Sequence, residues 1–140
     1  QVVLPAVECE SEACLAHRRY NMTASETALG INADGSPSLP GEYCDQVSIG
    51  FGTGEVTGEF ARERVCLGDP PSSSSGKASP VVPCVDMHVV TAVDMSTQPF
   101  KSFDFDGIMG LGLDGLSLTS NFSLVNFLSS SSSLGSPQFA

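Results

Sequence analysis

Sixteen carboxylates, two histidines and five cysteines are the side chains with the most capacity for chemistry in this sequence. Their spacing excludes most of what they could do. Gly110-Leu111-Gly112-Leu113-Asp114-Gly115 spells the G-x-G-x-x-G pattern of dinucleotide sites. That pattern works only between a strand and a helix whose N-terminus faces the pyrophosphate, with an acid about twenty residues on. Leu116-Ser117-Leu118-Thr119-Ser120 follows instead, and no βαβ unit fits around it. A serine-histidine triad lacks its G-x-S-x-G elbow. His88 falls in an alternating stretch and is expected at a surface or pocket rim. Cys44 sits among Glu42, Tyr43 and Asp45, where nothing electropositive would generate a thiolate. Cys9, Cys14 and His17 could begin a zinc site, but a fourth ligand is missing.

The cysteines suit bonding to one another better. Cys9 and Cys14 bracket a short polar turn, the natural size of a small disulfide loop, leaving zinc as the alternative. Cys66 closes one β-like run and Cys84 opens the next. Bridging them across the Pro/Ser/Gly stretch between would contribute roughly 3 kcal/mol through loop-closure entropy. Cys44 is then left over. Asn21-Met22-Thr23 and Asn121-Phe122-Ser123 are N-glycosylation sequons. With paired cysteines they favour an oxidising, secretory-route compartment.

The elements that must position these residues are strands. The formal net charge is −10, with six basic residues against sixteen acidic ones. A nucleic-acid backbone or an anionic membrane surface is therefore an unsuitable partner. Hydrophobic residues make up 41%, enough for a core, yet their runs are short or interrupted by glycine, so no transmembrane helix is expected. Fourteen glycines, nine prolines and many serines, with no long 3.6-residue stripe, indicate strands and turns. Residues 1–8 read as a strand, and Met22 to Ala28 as a short helical turn or coil. Gln46 to Phe60 alternates apolar residues about a Gly52-Thr53-Gly54 tip, the pattern of a β-hairpin. Residues 68–83 form a Pro/Ser/Gly-rich insertion, expected to be a solvated loop. Phe122 to Leu128 is consistent with a short helix ended by polyserine. Gln1 and Ala140 both fall in strand-like sequence, so the chain is expected to be a piece of a longer one.

In order, these segments resemble the N-terminal lobe of pepsin-like aspartic proteases. Val2 to Ala6 looks like the strand after the family's first catalytic motif, and Cys9 to Cys14 like its small disulfide loop. His17-Arg18-Arg19-Tyr20-Asn21 falls where the family often has an aromatic-Asn pair. Val47 to Gly58 is similar to the flap hairpin, an aromatic followed by Gly-Thr-Gly. Phe105-Asp106-Gly107-Ile108-Met109-Gly110-Leu111 resembles the family's Phe-Asp-Gly-Ile-Leu-Gly-Leu segment. The resemblance implies an all-β fold, one lobe of a bilobal barrel with one or two short helices, occupying residues 1–140 as a partial lobe. It implies an endopeptidase that needs no cofactor or metal, working on extended peptides by water held between two carboxylates. Two carboxylates that close cannot both ionise, so one acts as acid and the other as base.

This sequence departs from the family twice. It contains no Asp-Thr-Gly or Asp-Ser-Gly, so none of its acids is assigned a catalytic role, and both motifs are expected outside it. The chain alone should be inactive, and its partner is the C-terminal lobe of the same polypeptide. Phe51 occupies the flap position where the family usually has Tyr, and no Trp is present to meet a hydroxyl. Losing both leaves an apolar contact rather than an unpaired polar group. By the resemblance Phe51 caps the substrate side chain beside the scissile bond, Gly52 and Thr53 offer backbone groups to the peptide, and Ile108 lines the same pocket. The alternatives are a catalytically inactive homologue that binds peptides or inhibitors, and an unrelated secreted β-domain. The expected location is the secretory route, ending outside the cell or in a vacuole or lysosome.

Overall fold

A computed structural model describes residues 1–39, 42, 44–68, 83–112 and 114–130. Most of the expected 68–83 insertion, the end of the second polyserine stretch and the strand-like end 137–140 lie outside the described residues. Among the described residues six strands form one sheet: β1 (Val2–Pro5), β2 (Leu29–Ile31), β3 (Gln46–Phe51), β4 (Gly54–Cys66), β5 (Cys84–Met95) and β6 (Ile108–Met109). Their order is β2-β4-β5-β1-β6, with β3 also paired to β4. The fold is all-β, with two short α-helices among the described residues, α1 (Glu12–Leu15) and α2 (Leu124–Ser130).

β4 and β5 form the spine. Residues Gly58 to Cys66 pair antiparallel with Cys84 to Ala92, after a register shift at Thr57/Gly58. Alternation sorts their side chains into two apolar clusters. Val56, Phe60, Val90 and Ala92 join Phe100 and Phe122 on one side, and Ala61, Val85, Met87 and Val89 join Leu124 and Leu128 on the other. The strands therefore have cover on both faces, which an amphipathic hairpin alone could not provide. β1 runs parallel to β5 and antiparallel to β6, wedged between segments near residues 90 and 108.

Two disulfides pin this frame. Cys9–Cys14 ties α1 back to the segment before it, and Cys66–Cys84 joins residues that face each other in the β4–β5 ladder. Cys44 is unpaired and half-buried. With its two sulfurs bonded and His17 turned to the Phe100 carbonyl, the alternative zinc set of Cys9, Cys14 and His17 does not assemble. Changing both Cys66 and Cys84 to Ser is expected to lower unfolding free energy by about 3 kcal/mol, measured by urea denaturation. The ladder should survive, because Arg64 on β4 still pairs with Asp86 on β5.

Three local expectations are refined. His88 is not a free rim residue: its ring meets Phe122 edge-on, with centroids 5.2 Å apart, and its buried Nδ1 has no partner. Burial, helped by the Arg62 charge, pushes its pKa below the ordinary value. The helical stretch after residue 120 begins as a 3-10 turn over Ser120–Phe122 before α2. Ser123 intervenes, its hydroxyl accepting the Asn126 N–H at 3.3 Å as an N-cap. The G-x-G-x-x-G stretch follows the two-residue β6 and leads into a 3-10 turn at Asp114–Leu116, which offers no helix end to a phosphate.

Candidate functional site

The hairpin follows from its alternation. Val47, Ile49 and Phe51 are the half-buried positions of β3, while Gln46, Ser48 and Gly50 are exposed. On the facing strand Gly54, Val56, Gly58 and Phe60 are buried. Phe51 pairs with Gly54, leaving Gly52 and Thr53 as a two-residue tip, both exposed. Gly52 has φ +60° and Thr53 does not share a positive φ, the pattern of a II′ turn, which needs glycine first. The base of the tip is tied down by Ser96: its N–H donates to the Glu55 carbonyl, and its hydroxyl accepts the Glu55 N–H.

Beneath this hairpin lies a narrow apolar cleft with an internal volume of about 20 Å³, room for about one water molecule. Phe51, Val56, Met95, Phe100 and Phe103 form one wall, and Val3, Leu4 and Ile108 another. Phe51 meets the buried Phe100 edge-on at 6.0 Å, and Phe100 meets Phe103 likewise at 6.0 Å. Such edge-to-face contacts add about 0.5–1.5 kcal/mol each beyond burial, so the rings define a firm wall. The structure therefore brings Phe51 and Ile108 to one cleft. Gly52 and Thr53 stand at its tip, outside the residues that line it.

The far wall is held by the Cys9–Cys14 segment. Arg18 grips Asp106 twice, backbone N–H to Oδ1 at 2.9 Å and Nε–H to Oδ2 at 2.6 Å. His17, with 8% of its side chain exposed, sits 2.9 Å from the Phe100 carbonyl through Nε2 and 3.8 Å from Asp106 through Nδ1. A carbonyl only accepts, so Nε2 carries the hydrogen. The segment thus spans the cleft's base from Phe100 to Asp106, while the Ser11 hydroxyl accepts the Met95 N–H from the end of β5. These roles of His17, Arg18 and Phe100 were not legible beforehand. The cluster Phe100, Phe103 and Phe105 was the available signal, but irregular spacing hid which ring faces inward.

The backbone and side-chain hydrogen bonds from Arg18 hold the Asp106 carboxyl below its ordinary value of 3.8. A lowered folded-state pKa contributes stability that is present above that ordinary value and lost as pH falls through the folded one. Asp106→Asn should therefore lower Tm at pH 6 and flatten its fall below pH 4, read by thermal melts across that range. A second polar knot lies on the back of the sheet, where the Tyr20 and Thr27 hydroxyls both donate to Glu63. Partial burial pushes Glu63 up, but these bonds with those of Ser25 and the Arg64 N–H outweigh it and hold the carboxyl below its usual range. Burial and the Glu63 carboxylate raise the Tyr20 phenol. Neither Tyr20 nor Glu63 reaches the cleft, so this knot is structural.

A cleft roofed by a II′-tipped hairpin, with a Phe-Asp-Gly segment as its opposite wall, narrows the family. The family model described as eukaryotic aspartyl protease matches residues 2–140. The chain belongs to that family. It is pepsin-like, 29% identical to gastricsin of Cavia porcellus over 119 residues, covering 81% of this chain and 23% of that one. Vacuolar protease A of Aspergillus fumigatus is 27% identical over 115 residues, covering 82% of this chain and 23% of the relative. Plasmepsin IV of Plasmodium falciparum is 29% identical over 117 residues, covering 84% and 21%. The chain therefore spans under a quarter of the length of these curated relatives. As an aspartyl protease lobe it carries two disulfides that fit an oxidising, secretory route. Among the described residues no helix is long and apolar enough to cross a membrane.

Proposed function

We propose that the whole protein is an aspartic endopeptidase and that this chain supplies its flap and one wall of its substrate cleft. The observation that carries this reading is the apolar cleft that Phe51 and Ile108 share in a chain of this family. An extended peptide enters beneath the hairpin. Phe51 covers the side chain beside the scissile bond, Ile108 contacts it from the opposite wall, and the Gly52 and Thr53 backbone groups pair with the peptide as an added strand. The hydrolytic water belongs to two carboxylates in Asp-Thr/Ser-Gly turns, which this sequence does not contain. The work of this chain is to bind, orient and exclude solvent, together with the C-terminal lobe of the same polypeptide. The finished protein acts outside the cell or in a vacuole or lysosome.

The test is peptide release from an unfolded protein by the full-length polypeptide at acidic pH, followed by mass spectrometry. Phe51→Ala should lower kcat/KM about 10- to 100-fold, as losing the burial of one large apolar side chain implies. Phe51→Tyr should stay near the parent. A second reading is favoured by Phe51 standing without a Trp partner: an inactive homologue that binds peptides without cutting them. In that case no peptide is released, yet Phe51→Ala still weakens binding of an extended peptide. Activity unaffected by Phe51→Ala would remove the cleft from the mechanism.

A further inference from the structure

Of the two sequons, one is kept open by folding and the other is closed. Asn21 and Thr23 are both exposed, and Met22 between them packs against the second apolar cluster. Asn21 Oδ1 accepts the Thr23 N–H at 3.0 Å and the Thr23 hydroxyl at 2.7 Å. A backbone N–H can only donate, so the amide orientation is fixed and Nδ2 is the group left to solvent. Nδ2 has no partner among the described residues. The sequon is thus held in a turn with its acceptor nitrogen outward and its hydroxyl beside the amide it must accompany.

Asn121 is also exposed, but the next two residues are not. Phe122 and Ser123 are each 1% exposed, and the Ser123 hydroxyl is committed to the Asn126 N–H. Phe122 is wedged between Phe60 and His88. An enzyme that must engage the hydroxyl two residues beyond the asparagine can do so at Asn121 only before this region folds.

From this contrast we infer that Asn21 carries an N-linked glycan, and that its occupancy exceeds that of Asn121. In the transfer, Asn21 Nδ2 loses a proton and bonds the anomeric carbon of an oligosaccharide carried on a polyprenyl diphosphate. The anomeric C–O bond breaks and the diphosphate leaves with its electron pair, so no redox partner is needed. The glycan projects into solvent as a bulky polar group. Neither asparagine lines the cleft beneath the hairpin, so peptide entry is unaffected.

The inference rests on the secretory route and not on peptidase activity. The full-length polypeptide is to be produced in a eukaryotic secretory host, deglycosylated in heavy-oxygen water with an enzyme that converts each glycosylated Asn to labelled Asp, and digested with trypsin. The peptide 20–62 reports Asn21, and the peptide that ends at Arg18 reports the Cys9–Cys14 bridge in the same digest. Label at Asn21 above that at Asn121 is expected. Asn21→Asp, which keeps the oxygen that caps the turn, should abolish the label and the associated mass shift. An intact bridge with unlabelled Asn21 overturns the inference alone. Loss of both bridge and label overturns the secretory reading with it, and label at Asn121 equal to or above Asn21 overturns the argument from folding.

Discussion

Phe100→Ala is expected to lower unfolding free energy by about 3–5 kcal/mol, the usual cost of emptying a buried aromatic site. Phe100 is 2% exposed and lies where three parts of the molecule meet. Its ring touches Phe51 and Phe103, and its edge stands close under Gly54: a Cβ there would lie 2.6 Å from Phe100 Cε2. Emptying the position leaves a cavity under the flap that Phe51 is free to enter, so the roof sinks as stability falls. The measurement is urea unfolding of Phe100→Ala beside Phe103→Ala, whose half-buried ring should cost less. Equal losses would mean that Phe100 does not anchor the cleft. Activity of the full-length polypeptide should fall with Phe100→Ala even well below its melting temperature, because the wall facing Ile108 is gone.

Gly58→Val should destabilise at or above the top of the ~1–3 kcal/mol range for overpacking. Gly58 follows the register shift in β4, and a Cβ there would meet Val90 Cγ1 at 2.5 Å and the Thr91 carbonyl oxygen at 2.9 Å. The valine side chain could rotate away, but the backbone carbonyl cannot without parting β4 from β5. Gly50→Val offers the contrast, since a Cβ there has nothing within 4 Å. Thermal melts of the two variants separate the readings: a large drop for Gly58 and little for Gly50 is expected. Hydrogen exchange should show faster opening at Glu59 to Ala61 in the Gly58 variant.

The hairpin, its tip and both disulfides were readable because each is local. Alternation over Gln46 to Phe60 and a Gly-Thr-Gly tip leave few other structures, and Cys66 and Cys84 flank one turnaround. The family could be read from four such segments in order. What could not be read arises from contacts between distant segments. Nothing near His17 in sequence announces the Phe100 carbonyl, 83 residues on, and Arg18 meets Asp106 at a separation of 88. His88 alternates like a surface residue, but Phe122 arrives from the far end of the chain to cover it. The acid-rich composition likewise hid that Asp106 and Glu63 are each committed to specific donors. Phe51 and Ile108 were named through resemblance, and no local pattern in β6 would have chosen Ile108.

The position of β1 has a consequence for the order of assembly. Val2 pairs with Val89 and Met109, so β1, the earliest-made of the described strands, waits 87 residues for its first sheet neighbour and 107 for both. At ~5–20 residues per second of synthesis, that interval is roughly 5–20 s. The β3–β4 hairpin can close meanwhile through its two-residue tip, whereas β1 must thread between two strands at high contact order. Once β5 is made, its apolar edge is an open template until β1 docks, and any extended segment that reaches it first competes with Val2 to Pro5. Quality control of this lobe is thus a race for one slot, lost or won on the ribosome's timescale.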